Sequence, residues 1–400
     1  MRSALILVGA LLAKSVLGAS DPLELSRDCP PGFELTGGHC ELRSLYQMYP
    51  SLQNAGVGGL KTGLPQWRDG FTPQQIDLGR HLFFDPVLSA NGKLSCATCH
   101  NPDQGFADGM GRSVGIKGER LSRSAPSLWN VAFLQRFFWD SRASSLEEQM
   151  VGPLYDPHEM GNNPVHMLAS LNAIKAYRRL FAEAFPADSV TPRGSISLDE
   201  VYTSIAAFQS SLISLNSRYD QYAHGYQDAL TVPEKEGLNV FRSFVARCAE
   251  CHTPPLFTNQ QVAVIGTPEP EGMPFDPGAE VSMNEPTQRG GFKIPSLRNI
   301  ELTAPYMHSG RFETLREAVA FYTGGRGHAV PEGEDLKIHW HIWEPRLTEA
   351  EVDRLVDFLK TLTDETFKPK APARLPSGLA PVHYDMAQLG ISKKRDDSNE

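Results

Sequence analysis

The sequence predicts a mainly α-helical fold of two domains related by internal duplication, with long loops and little strand. Three observations predict it. The pentapeptide Cys96-Ala97-Thr98-Cys99-His100 returns as Cys248-Ala249-Glu250-Cys251-His252, both C-x-x-C-H. The landmarks around each copy keep one order: Gly79-Arg80-His81-Leu82-Phe83 answers Gly237-Leu238-Asn239-Val240-Phe241, and Pro126-Ser127-Leu128-Trp129-Asn130 answers Pro295-Ser296-Leu297-Arg298-Asn299. Strand signals are sparse, and Gly 34 with Pro 30 break the helical stretches into long loops.

Taken in order, the chain opens with Arg2, an apolar run from Ala4 to Ala13 and small residues up to Ser20, the layout of a secretory signal over residues 1–20. A membrane anchor is the competing reading, but Lys14 interrupts a run too short to span. Residues 21–71 form an extension whose Cys29 and Cys40 are expected to pair in an oxidising compartment. The first domain runs from 72 to 230. It starts at Pro73 behind a Thr72/Gln75 capping box and ends in a helix capped by Ser197 and Glu200. The second, 231–367, starts with Pro233 and ends in a helix capped by Thr348 and Glu351, and 368–400 reads as a polar, disordered tail.

C-x-x-C-H is the attachment signal of a c-type haem. Two thiols one helical turn apart can bond the two vinyl groups, which leaves the adjacent His as proximal iron ligand. A four-cysteine zinc site is disfavoured by the long separation of the two pairs, and a redox dithiol would need no following His. Two covalent haems are therefore expected, at Cys96, Cys99 and His100 and at Cys248, Cys251 and His252, in cytochrome c-like domains. Composition excludes other classes. Hydrophobic residues at 40% rule out a wholly disordered chain. Loss of Arg2 and Lys14 with the signal takes the formal charge from −9 to −11, so nucleic acid is no partner. No later apolar run is long enough to span a membrane, and an exported, periplasmic location is expected. The Gly56–Gly63 stretch lacks the Gly-Lys pair and flanking strand of a phosphate loop.

The halves differ where a sixth iron ligand would sit. Eleven residues beyond Arg142 is Pro153, which cannot bind iron; eleven beyond Arg311 is Tyr322, which can. A core aromatic is the alternative role for Tyr322. Between His100 and His158 there is no histidine, so the first haem is expected to be five-coordinate and open to peroxide. Glu159 or His158 could then serve as acid/base for splitting O–O, with Gln149 and Pro153 lining the pocket; a solvated loop carboxylate is the competing reading of Glu159.

These residues resemble the bacterial diheme cytochrome c peroxidase/MauG family over roughly Thr72 to Lys368. The motifs are G-x-x-L-F, F-W-D-S-R at Phe138 to Arg142, P-S-L-R-N, and A-P-Y-M-H-S-G at Ala304 to Gly310. The resemblance implies that Trp139 lies between the haems and carries charge between them. It implies that Tyr322 ligates the second iron, as in the MauG-like, MbnH-type branch, where peroxidases carry Met. Such enzymes hold two oxidising equivalents across both haems and oxidise an aromatic residue, notably tryptophan, of a partner protein. The alternatives are a peroxidase fed by a small soluble cytochrome or copper protein, and a non-enzymatic diheme electron carrier. The family also implies calcium between the haems, here bound by Ser124 in place of Asn and by the carbonyls of Thr303 and Pro305. MauG carries Trp on its route to substrate where this chain has Ala246, which makes Trp340 and Trp343 candidates for a relay or docking surface, or for packing under a loop.

Overall fold

The computed structural model describes residues 23–44, 63–186, 195–325, 328–342, 345–364 and 366–381. The expected export signal, the Lys61-Thr62 stretch and Trp343 lie outside them. In chain order the main elements are β1 (Phe33–Thr36), β2 (His39–Leu42), α1 (Pro73–Phe84), α2 (Cys96–Cys99), α3 (Leu146–Tyr155), α4 (Pro164–Ala173), α5 (Lys175–Ala184) and α6 (Leu198–Ser210). There follow α7 (Arg218–Ala223), α8 (Val232–Phe241), α9 (Cys248–Cys251), β3 (Val262–Val264), α10 (Ala279–Met283), β4 (Gly291–Lys293), α11 (Leu315–Phe321) and α12 (Glu349–Lys360). The chain is mainly helical with two short two-stranded sheets among the described residues.

Helix starts follow their caps. The Thr72 hydroxyl accepts from the Gln75 N–H while the Gln75 side chain accepts from the Thr72 N–H. Ser197/Glu200 and Thr348/Glu351 do the same for α6 and α12. Each cap satisfies orphan donors and is worth about 1 kcal/mol. α1 buries Leu78, Leu82 and Phe83 against α6. Glycine sets how near they come: a Cβ on Gly79 would lie 1.8 Å from the Ser204 carbonyl oxygen. α8 meets α12 by the same device, with a Cβ on Gly237 lying 1.9 Å from the Arg354 carbonyl oxygen. Aromatic rings fill both crossings, Phe83 on Phe208 at 5.0 Å and Phe241 on Phe358 at 5.1 Å between centroids.

β1 and β2 form a hairpin closed by the Cys29–Cys40 disulfide. It is not a free extension. The Cys40 N–H donates to the Phe71 carbonyl, and Phe33 and Leu42 pack with Ile76, Phe133 and Leu256. β3 pairs with β4, Val262 opposite Lys293, and the Lys293 N–H donates to the Trp139 carbonyl at 2.7 Å. That bond ties the second half to the F-W-D-S-R loop of the first.

The expected disordered tail needs correction as far as residue 381. Leu375 is buried in the core of the first half, the Ser377 hydroxyl donates to Asp85 at 2.7 Å, and the Lys370 carbonyl accepts from Arg80. The polar sequence hid this because a few anchoring residues suffice when their partners, Asp85 and the first-half core, already exist. No helix among the described residues is long and apolar enough to cross a membrane.

Candidate functional site

Each C-x-x-C-H copy makes one short helical turn, α2 or α9, with its His at the C-terminal end. The turn brings the two thiols of a copy to one side, and none of the four is in a disulfide. Burial pushes the Cys96 and Cys248 thiols up to about 12, so both are protonated, apolar groups. The histidines are oriented alike. His100 Nδ1 lies 2.8 Å from the Phe106 carbonyl and His252 Nδ1 lies 3.0 Å from the Phe257 carbonyl. A carbonyl only accepts, so Nδ1 carries the proton and donates, which leaves Nε2 with the lone pair an iron needs. Desolvation by burial lowers both imidazole pKa values and keeps the rings neutral. Zinc, by contrast, would need its ligands gathered in one place. Among the described residues no three His, Cys, Asp or Glu gather in that way.

A cavity opens beside the second C-x-x-C-H motif. Cys248, Cys251 and His252 share its walls with Tyr322 and with apolar Leu297, Val319, Leu355 and Leu359. Tyr322 follows α11, which Thr314 and Glu317 cap. Burial pushes its phenol well above the usual range, with the nearby Cys248 and Cys251 adding to the rise. Phe321 beside it is buried, in contact with Phe312 and with the Tyr322 ring.

Trp139 lines the same cavity and is held at both ends of the residue. Its indole N–H donates to the Ser124 carbonyl at 3.0 Å, and its own carbonyl accepts from Lys293. Pro126 follows two residues after Ser124, and its carbonyl also faces His100. Thr303 and Pro305 line the cavity with Ser124. The Ser124 hydroxyl is engaged with the carbonyls of Met307 and His308 at 3.1 and 3.2 Å.

On the first half, α3 carries Gln149 and Pro153, both half-buried, and ends before the loop that bears Glu159. The two candidates for acid/base separate. His158 is exposed and pairs with Glu119 at 2.5 Å. Glu159 is half-buried, its backbone pinned by the Ile116 N–H, and its carboxyl is pushed up by burial and by Asp156 against the pull of Arg142. The Arg142 guanidinium stacks 3.4 Å from the Phe138 ring centroid, and Phe138 in turn abuts Gly152 of α3.

Trp340 does not pack under a loop. It is 62% exposed, its ring 3.6 Å from that of His341, which lines the cavity, and Arg247 lies over it. Phe244, 77% exposed, is the other aromatic beside Arg247. Sequence reasoning missed two features of this wall. His308 stacks on Phe292 and its Nε2 lies 2.8 Å from Glu269; Lys293 lines the cavity from β4. His308 stood within a quoted motif, but Glu269 comes from a loop with no motif, so nothing in the sequence linked them.

Comparison with known proteins agrees with this geometry. Residues 73–228 match the family described as di-haem cytochrome c peroxidase. The cytochrome c551 peroxidase of Nitrosomonas europaea is 35% identical over 76% of this chain and 86% of its own length. The methylamine utilization protein MauG of Methylophilus methylotrophus is 34% identical over 75% of this chain and 86% of its own. A crystal structure of a MauG-like protein associated with microbial copper homeostasis superposes with a TM-score of 0.69 and 34% identity, covering 78% of this chain and 97% of that one. With its paired C-x-x-C-H motifs, the like orientation of His100 and His252 and these relatives, the chain is an oxidoreductase of the diheme cytochrome c peroxidase and MauG family.

Proposed function

We propose that this chain, exported to the periplasm, reduces hydrogen peroxide and spends the two oxidising equivalents on an aromatic side chain, tryptophan, of a partner protein. The observation that carries the reading is Tyr322, a buried phenol on the wall it shares with Cys248, Cys251 and His252. When bound, the two haems supply the electron exchange with peroxide. Tyr322 would hold the second iron, and a hard phenolate there would favour the oxidised state, where Met would favour the reduced one and suit a peroxidase fed with electrons. The remaining roles belong to protein groups. Gln149 and Pro153, carried on α3, would line the pocket of the first haem without offering its iron a ligand. Glu159, whose carboxyl burial pushes above the usual range, would deliver and take protons at the peroxide oxygens. Trp139, fixed between Ser124 and Lys293, passes charge between the two sites. Calcium on Ser124 and the carbonyls of Thr303 and Pro305 is part of the same proposal, as are two domains of one duplicated ancestry that meet near Leu230. The matched glycine crossings support the duplication.

The peroxidase relative supports a second reading, in which a small soluble cytochrome or copper protein feeds electrons to the second haem. The deciding experiment adds hydrogen peroxide to the fully ferric protein without reductant and follows both haem spectra. Joint, persistent change at both haems upholds the MauG-like reading. A reaction that waits for prior reduction of one haem upholds the peroxidase.

A further inference from the structure

We infer that Lys293 holds a propionate carboxylate of the haem attached at Cys248 and Cys251. The inference rests on the two-haem reading above and goes beyond it to how the cofactor is seated.

The charges around the cavity single this residue out. Arg298 is paired with Asp220 at 2.5 Å and Arg247 with Glu250 at 2.5 Å. The two histidines on that wall with acidic neighbours are His308, beside Glu269, and His341, beside Glu250. Lys293 is the one lysine or arginine lining the cavity that forms no ion pair among the described residues. It is not a loose surface side chain. Strand pairing with Val262 and the 2.7 Å bond from its N–H to the Trp139 carbonyl fix the backbone from which it extends. Burial, with no opposing carboxylate, pushes its ammonium down to about 8.

A half-buried ammonium that faces a largely apolar cavity without a counter-charge is an incomplete site, because its desolvation is uncompensated. The group that completes it must be anionic and must occupy the cavity. A c-type haem bonded through its vinyl groups keeps two free propionates and brings that charge to a wall otherwise lined mainly by apolar side chains. The same contact would link the haem edge to Trp139 through one residue, since Lys293 binds the Trp139 carbonyl with its own N–H.

The test uses holoprotein with Lys293→Met and Lys293→Arg beside the wild type. Haem attachment is checked by mass, the propionate bending modes by resonance Raman, and the midpoint potential of the second haem by spectroelectrochemistry. The expected result is a shifted propionate mode and a lower second-haem potential in Lys293→Met, because a positive charge that favours the ferrous state is gone. Lys293→Arg should keep both near the wild-type values. Unchanged modes and potential in fully loaded Lys293→Met would overturn the assignment and mean that the ammonium reaches solvent. Should Lys293→Met fail to fold, Lys293→Gln takes its place, and identical spectra for the Gln and Arg variants would likewise overturn it. A wild-type protein with no haem at Cys248 and Cys251 would instead overturn the two-haem reading itself.

Discussion

The indole N–H of Trp139 donates to the Ser124 carbonyl across 3.0 Å, two residues before the proline whose carbonyl faces His100. The bond fixes the ring's position and links it to His100 through a short piece of backbone. Trp139→Phe keeps an aromatic ring but loses that donor and the easily oxidised indole. Rapid-scan spectra after peroxide should then show change at the first haem while the second stays ferric. Joint change as in wild type would remove Trp139 from the charge path.

Tyr322→Phe tests the sixth ligand. The low-spin electron paramagnetic resonance signal of the second haem should change, and the high-spin signal of the first should not. Tyr322→Met should raise the second haem's potential, since thioether stabilises ferrous iron.

Glu159→Gln keeps size and loses the proton. Reaction with peroxide should slow by about 100- to 10,000-fold, the range typical of a lost general acid or base, with haem content unchanged. His158→Gln should leave the rate alone, because that imidazole is at the surface against Glu119.

Asp108 gives a pH dependence of known sign. It is 3% exposed, and burial pushes its carboxyl up to about 6, only partly offset by bonds from Ser113 and the Met110 N–H. The folded state therefore holds this proton to higher pH than the unfolded chain, and stability falls as pH rises between the two pKa values. Across that window the loss is about 3 kcal/mol at most. Urea midpoints measured from pH 4 to 8 should converge for wild type and Asp108→Asn at the acid end. At the alkaline end the variant should be the more stable.

Gly237→Ala would ordinarily favour a helix by about 1 kcal/mol. Here the new Cβ meets the Arg354 carbonyl oxygen and the Phe358 Cβ, so α8 and α12 must separate. The expected outcome is a loss of about 1–3 kcal/mol by thermal unfolding, with the second haem's spectrum perturbed before the first's.

Much of this was legible because the chemistry is local. C-x-x-C-H needs a single helical turn, and the capping boxes of α1, α6 and α12 each lie within four residues. Tyr322 could be singled out by register against Arg311. The tail was not legible, since Leu375 and Ser377 are ordinary residues until Asp85 and the first-half core are placed beside them. Nor could spacing separate Glu159 from His158, neighbours that differ only in which way the loop turns each side chain. Lys293 escaped notice because its meaning lies in the absence of an ion pair, which needs the whole cavity wall to be seen.

The docking of Leu375 and Ser377 onto the first half bears on the order of synthesis. A ribosome makes the two attachment motifs in sequence, but the earlier domain receives its last core residue from near the end of the chain. The later half receives its last core residue, Leu362, just after α12. The half that begins first thus finishes last, and its core closes only when the segment around Leu375 has been made.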